Sequence, residues 1–312
     1  MDVSIVIVNW NSEDFLRECL RSIRAQARKL AIEIIVVDNA SPAAGIDEVK
    51  LQFPELVAVK SETNLGFSRA NNLGFRHASG KYLLFLNPDT SLVNPAIDIL
   101  FEQAETLPDA GILGGKLLNT DLSVQTSCIQ AFPTILNQIL DVEFLRLRWP
   151  GSRLWKIGPL FSETKSPARV DMISGAALMI RRDVFEQVGL FSEDYFMYAE
   201  DLDLCYKVDR AGFHNYYVGE AVIVHHGGTS SGKRVINHWA TITKFRSLSQ
   251  FWTKTKGTFY GGVYRMVIGI VALVRMMILG VVFPFGSLFR KNPGGSFSKW
   301  LAVFRWAAGL ES

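Results

Sequence analysis

Cysteine is scarce: the 312 residues hold three, Cys19, Cys128 and Cys205, each set singly among apolar neighbours. Without a CxxC pair the chain lacks the spacing of a zinc site or a dithiol centre, and the thiols read as buried in a reducing compartment. Glycines are missing after the first apolar run, where Val8-Asn-Trp-Asn11 stands, so a dinucleotide fingerprint is excluded. No basic stretch or cleavage site accompanies Val3-Ser-Ile-Val-Ile-Val8, which reads as a first strand and not as a signal peptide. No fixed-period repeat is visible. Acids all but vanish after residue 230: from Ser231 onward 12 Lys or Arg face one acid, Glu311, although the whole chain carries only +3.

That basic tail calls for an anionic partner, and its apolarity decides which. Met266 to Phe283 is apolar throughout except for Arg275, a pattern that excludes a nucleic-acid arm and favours anionic lipid. The run is long enough to span a bilayer, yet Arg275 at its centre costs about 2.5–3.5 kcal/mol on insertion scales. Basic residues flank both ends: Lys254, Lys256 and Arg265 before, Arg290 and Lys291 after. An interfacial or re-entrant hairpin turning at Pro284-Phe-Gly286 fits both facts, with Lys299 to Trp306 as a second amphipathic piece. Two core helices of a soluble protein are the competing reading.

Hydrophobic residues at 48% and aromatics at 12% exclude a disordered chain. Up to about residue 230, strand and helix alternate. Val3–Val8 is followed by a helix that Ser12 can cap, with Phe15, Leu16, Cys19, Leu20 and Ile23 on one stripe. Ile32–Val37 is a second strand, Leu56–Lys60 a third and Tyr82–Leu86 a fourth; residues 120–170 read as irregular. Each strand ends in a polar cluster: Asn9-Trp-Asn11, Asp38-Asn39, Asn64-Leu-Gly66, Asn87-Pro-Asp89. In sequence this is a parallel sheet whose carboxyl ends build a binding site.

Glu200-Asp-Leu-Asp203 places three carboxylates in four positions between apolar residues, just before a helix. Partly desolvated carboxylates can act as bases near neutral pH; an acidic first turn favoured by the helix dipole is the alternative.

Taken in order, Val3 to Asn11, Val36-Val-Asp38-Asn-Ala-Ser41, Asn64-Leu-Gly66-Phe67 with Asn71-Asn72, Leu86-Asn-Pro-Asp89, Ser174-Gly-Ala176, Glu200 to Cys205 and His225-His-Gly-Gly228 resemble the motifs of family 2 glycosyltransferases, in particular the bacterial rhamnosyltransferase-like members. The likeness covers about residues 3 to 230. It departs after Ser41, where Pro42-Ala-Ala-Gly45 replaces the usual Asp-Gly, and at Lys207, where Arg is commoner. The resemblance implies an α/β GT-A fold, a Rossmann-like, mostly parallel sheet flanked by helices. It divides into a catalytic domain over residues 1–235, with a donor-binding half to about 115 and an acceptor-side half from about 116, and a helical, membrane-associating region over 236–312.

It also implies roles. Asp38 would accept the ring N–H of uracil or thymine, although a turn Asp that caps the next segment looks the same. Asn9, Asn64, Gly66, Phe67, Asn71 and Asn87 would line the donor nucleotide; Arg69 is either a phosphate contact or a solvated helix residue. Asp89 would ligate Mg²⁺ or Mn²⁺ with the donor diphosphate, His225 would complete the shell, and His226 on an alternating strand would point away. Asp201 would be the base of a single inverting displacement. Glu200 would orient the acceptor or hold the helix start, and Asp203 would pair with Lys207.

Gly227-Gly-Thr-Ser-Ser-Gly232-Lys233-Arg234 nearly spells a P-loop, but Arg234 occupies the Ser/Thr position, so Lys233 is expected to close over the diphosphate instead. The expected partners are a dTDP- or UDP-sugar, a glycan or polyprenyl-linked acceptor and the anionic cytoplasmic face of a bacterial inner membrane, with no nucleic acid. A non-catalytic sugar-binding module would share the fold but lose Asp89 and Asp201.

Overall fold

A computed structural model describes residues 1–27, 29–41, 45–140, 149, 167–227, 238–282 and 293–310. The chain forms two compact units. The first gathers residues 1–132, 144–196 and 200–232; the second gathers 133–143, 197–199 and 233–312. The loop carrying Lys233, the hairpin turn at Pro284 and the Pro42–Ala44 departure lie outside the described residues.

The first unit is organised by apolar strands: β1 (Val3–Asn9), β2 (Ile32–Asn39), β3 (Val57–Ser61) and β4 (Tyr82–Leu86). β3 starts after Leu56 because the Leu56 N–H donates to Phe53 O in a turn, and pairing opens at Val57 opposite Ile35. β5 (Thr90–Leu92), β6 (Ala110–Leu118), β8 (Ala168–Val170), β10 (Ala177–Arg181) and β11 (His214–His225) complete one nine-stranded sheet. Its order is β3-β2-β1-β4-β10-β6-β11-β5, with β8 on β11; β7 (Ile129–Gln130) and β9 (Met172–Ile173) form a separate pair.

The sheet is mixed. β3, β2, β1 and β4 run parallel, as do β6 and β11, while β10 is antiparallel to both β4 and β6. β1 lies between β2 and β4, so the chain departs to opposite sides of it and a crevice opens at the carboxyl ends. Ile5, Val6, Ile7, Ile35, Val36, Val37 and Leu83–Phe85 are fully buried, which explains why these strands read as unbroken apolar runs.

Helix α1 (Glu13–Gln26) buries Leu16, Cys19, Leu20 and Ile23. Ser12 does occupy its N-cap position but does not cap it, contrary to expectation: its hydroxyl donates to Asn9 Oδ1 at 3.0 Å. The dipole meets Glu13 and Asp14 instead. The other helices of this unit are α2 (Gly45–Gln52), α3 (Gly66–Phe75), α4 (Ala96–Thr106), α6 (Arg182–Gln187) and α7 (Glu200–Arg210); α5 (Ile135–Leu140) belongs to the second unit. All three cysteines are free and buried. Burial pushes the Cys19 thiol up to about 12 and Cys128 to about 11, which leaves them unreactive.

The second unit carries α8 (Trp239–Lys256), α9 (Thr258–Val282) and α10 (Pro293–Ala308). Among the described residues, α9 is the one helix long and apolar enough to cross a membrane, and only 22% of its apolar window is buried. A core helix of a soluble protein would be mostly covered; this one exposes Met266, Ile270, Leu273, Val274, Met277, Ile278 and Val281. Arg275 lies over the Trp300 ring at 4.3 Å, so its charge is met by an aromatic face.

Candidate active site

The carboxyl ends of β2 and β4 and the end of β11 supply the polar side chains. Asp38 closes β2. It is 6% exposed, and its Oδ1 is buried with no hydrogen-bond partner among the described residues. An orphaned buried acceptor is costly and rare, and a ligand N–H would satisfy it. The adjacent Asn39, which the sequence reading passed over, fastens the next segment. Its Nδ2 donates to Asn64 Oδ1 at 3.0 Å, and its Oδ1 accepts from Leu65 N at 2.8 Å.

Asn64 Oδ1 also accepts the Gly66 N–H at 2.9 Å, starting α3. Gly66 has φ +75, and a Cβ there would lie 2.4 Å from Phe196 O, so this position admits only glycine. The Phe67 N–H donates to that same carbonyl at 3.0 Å. Asn71 donates back to Phe67 O, and Asn72 clamps Phe191 through both its amide atoms. Arg69 is half-exposed beside Glu193, 3.7 Å away. Asn9 is fully buried and engaged with Ser12, Glu13 and Ser41, an anchor for the strand-end loop.

At the end of β4 the Asn87 N–H donates to Ala176 O at 2.9 Å. Asp89 is 3% exposed, and its Oδ1 lies 3.4 Å from His225 Nε2; Asn87 Nδ2 is 3.3 Å from the same nitrogen. Burial pushes the Asp89 carboxyl up, but the hydrogen bond and charge of His225 outweigh it and hold the group below the usual range. The antiparallel pairing of His225 with Thr90 brings these residues together across the sheet. His226 faces elsewhere, its ring 5.5 Å from that of Phe15.

Gln125 is the residue that sequence reasoning missed. Its Oε1 lies 2.8 Å from His225 Nδ1, and its Nε2 donates to Asn119 Oδ1 at 3.1 Å. Because a carboxamide oxygen only accepts, Gln125 fixes a proton on Nδ1 and turns Nε2 toward Asp89. With a small divalent cation in place of the proton between them, the carboxylate and the Nε2 nitrogen would both serve as ligands. Among the described residues no group of three His, Cys, Asp or Glu is arranged to hold a metal, so these two side chains would share the ion with ligand oxygens.

Asp201, in the first turn of α7, is held from two sides. Gly175 N–H donates to its Oδ2 at 3.0 Å and Leu202 N–H to its Oδ1 at 2.8 Å. Glu200 beside it is 7% exposed, with Oε2 unpartnered among the described residues. Burial, then the neighbouring Asp201, pushes its carboxyl up to about 8. Asp203 is a structural residue: Ser192 Oγ and Tyr195 Oη donate to it, and Lys207 pairs with it at 3.5 Å. Tyr198 and Ala199, which lead into the helix, have φ 69 and 64, a left-handed backbone costing of order 1–3 kcal/mol per residue.

The mixed sheet flanked by helices is the GT-A fold. Residues 4–189 match the family described as glycosyl transferase family 2, and the chain belongs to that family; it is a glycosyltransferase. It is 29% identical over 252 residues to the N-acetylglucosaminyl-diphospho-decaprenol L-rhamnosyltransferase of Mycobacterium tuberculosis H37Rv, covering 76% of this chain and 80% of that one. It is 26% identical to the rhamnosyltransferase WbbL of Escherichia coli K12, covering 72% and 83%. Among solved structures, the mannosyltransferase PcManGT of Pyrobaculum calidifontis, in complex with GDP-Man and Mn²⁺, superposes with a TM-score of 0.60 at 18% identity, covering 98% of this chain and 86% of that one. GalNAc-T7 with UDP, GalNAc and Mn²⁺ gives the same score and identity over 85% of this chain, which spans 51% of that protein.

Proposed function

We propose that this chain is an inverting, divalent-metal-dependent transferase that moves rhamnose from dTDP-rhamnose to a hydroxyl of a glycan or lipid-linked acceptor in bacterial surface polysaccharide synthesis, at the cytoplasmic face of the inner membrane. One observation carries the reading. The Gly175-Ala176 dipeptide hydrogen-bonds Asp201 through its N–H and Asn87 through its C=O, so the carboxylate that would take a proton and the strand end that would face the diphosphate are fastened to one backbone unit. Rigid mutual positioning of this kind is what a single displacement needs.

In this reading Asp38 accepts the N–H of the thymine ring. Asp89 and His225 hold Mg²⁺ or Mn²⁺, which when bound neutralises the leaving diphosphate. Asp201 removes the acceptor hydroxyl proton as that oxygen attacks the anomeric carbon opposite the diphosphate. Glu200, its carboxyl pushed up by burial, stays protonated and leaves Asp201 as the charged member of the pair. The rhamnosyltransferase relatives support the donor, and the exposed apolar helix α9 with its flanking cations supports the membrane location. A UDP-sugar offers Asp38 the same N–H and is the second reading.

The test is release of nucleoside diphosphate from dTDP-rhamnose, UDP-N-acetylglucosamine and GDP-mannose, each with a polyprenyl diphosphate-linked N-acetylglucosamine acceptor. Acceptor-dependent release of dTDP is expected; release of UDP alone would move the assignment to the second reading.

A further inference from the structure

Within the second unit a cavity of about 420 Å³ is lined by Arg246, Ser249, Gln250 and Thr253 of α8, Arg265 of α9, and Trp306 and Gly309 at the end of α10. The four α8 residues are spaced i, i+3, i+4, i+7 and therefore form one stripe. That stripe is made of hydrogen-bonding groups, whereas the residues buried on the same helix include Leu248, Phe251 and Trp252. Among the described residues no carboxylate lines the cavity.

Arg265 is fixed in place. Its Nε donates to Ala307 O at 3.0 Å and its Nη2 to Trp306 O at 2.6 Å, and the guanidinium lies 5.4 Å from the Trp306 ring centroid. These carbonyls occupy two of the five donors of a guanidinium. A pinned arginine gives up little entropy on meeting an anion, and its fork geometry matches phosphate oxygens.

The cavity's place in the chain identifies where such a phosphate would come from. Arg265 lies between the exposed Phe259 and Met266, and the main run of exposed apolar residues of α9, Met266 to Val281, follows it. If that face enters the acyl layer, Arg265 and Trp306 lie at its headgroup end, where arginine and tryptophan anchor membrane-associated helices.

We propose that this cavity is a binding site for a lipid-borne phosphate, with Arg246 and Arg265 as its cationic walls. The proposal rests on the membrane reading of the second unit. Two lipids present that chemistry, an anionic glycerophospholipid and a polyprenyl phosphate of the acceptor type.

Monomeric short-chain probes separate this site from general surface attraction, because a monomer creates no surface potential. Dihexanoylphosphatidylglycerol and farnesyl phosphate are titrated into the detergent-solubilised full chain, with dihexanoylphosphatidylcholine and inorganic phosphate as controls, and binding is followed by tryptophan fluorescence. At least one anionic lipid probe is expected to bind saturably, and which one identifies the source. Arg246→Gln should weaken it about tenfold, the equivalent of one charge-assisted contact. Arg246→Lys should recover part of the loss, and Lys256→Gln, exposed on the same helix but outside the cavity, should change nothing.

Equal effects of Arg246→Gln and Lys256→Gln, or binding of inorganic phosphate as tight as that of the lipid probes, would overturn the site. Partitioning of the wild-type chain into phosphatidylglycerol-containing vesicles is measured in parallel. If the chain enters vesicles but Arg246→Gln leaves probe binding unchanged, the cavity assignment fails and the membrane reading stands. If it ignores both vesicles and probes, both fail.

Discussion

The two compact units bury their charges in opposite ways. The first encloses carboxylates: Asp38, Asp89, Glu200 and Asp203 are each less than a tenth exposed, and Asp38 and Glu200 each retain an unpartnered oxygen among the described residues. The second has no carboxylate among its described residues and sets three cations against indole faces, Arg265 on Trp306 and both Arg275 and Lys299 on Trp300, whereas the rings under cations in the first unit are Phe and Tyr. A carboxylate in a low-dielectric site with unfilled acceptor positions attracts a proton, a metal ion or a ligand N–H. A cation over an indole ring keeps its charge and remains available to an anionic surface. In the proposed function chemistry and attachment therefore separate by sign of charge, and the separation can be broken experimentally.

Metal removal should have the largest effect and should act on the first unit alone. Chelation by EDTA is expected to abolish sugar transfer, with Mg²⁺ or Mn²⁺ restoring it, while vesicle binding by the basic tail persists. Full turnover in a rigorously metal-free assay would sink the metal assignment of Asp89 and His225. Next in size, Asp201→Asn keeps the shape but only one of the two backbone hydrogen bonds, since its amide nitrogen cannot accept the second N–H, and it cannot take a proton; turnover should fall by about a hundredfold or more. Donor affinity, measured by calorimetry with dTDP, should stay near that of the wild type.

Gln125 sharpens the contrast at one remove from the ion. Gln125→Leu should weaken Mn²⁺ binding by roughly 10–100-fold, the usual cost of losing the outer partner of a ligating histidine. Electron paramagnetic resonance titration of Mn²⁺ in the presence of dTDP reads this directly. Gln125→Glu, which still accepts from Nδ1–H, should restore affinity; a leucine variant with unchanged affinity would reduce Gln125 to a packing residue.

How far the sequence discloses this arrangement depends on how local each contact is. The strands that run into Asp38-Asn39 and Asn87-Pro-Asp89 are legible because a parallel strand buried on both faces must be apolar until it emerges. The Asp203–Lys207 pair follows from helical spacing. Gln125 is not legible, since its role depends on lying 2.8 Å from a histidine 100 positions away, after a strand that pairs with the strand carrying that histidine. Ser12 misleads for a related reason: it occupies a cap position, yet the buried Asn9 amide competes for its hydroxyl. Asn9 itself reads as a ligand contact from its strand-end position but is used to hold the loop. The apolar run around Arg275 gives no hint that Trp300, 25 positions on, lies beneath the guanidinium.

Glu200 supplies the smallest effect on rate and the finest division between neighbouring carboxylates. Burial and the adjacent Asp201 raise its folded-state value to about 8 from an unfolded value near 4.5. Between these two values the folded chain holds a proton that the unfolded chain has released, so this residue lowers stability progressively as pH rises through that window. Glu200→Gln fixes the neutral form. Its stability should match the wild type below about pH 4.5 and exceed it increasingly toward about pH 8, where the gap levels off. Thermal melts of both chains across this range check the sign, and only their difference counts, because other groups titrate in both. Turnover of the glutamine variant should remain within about tenfold of wild type if, as proposed, Asp201 and not Glu200 takes the proton. A variant that loses turnover as severely as Asp201→Asn, or whose stability gap fails to grow with pH, would transfer the base to Glu200 and remove the division of labour between the two carboxylates.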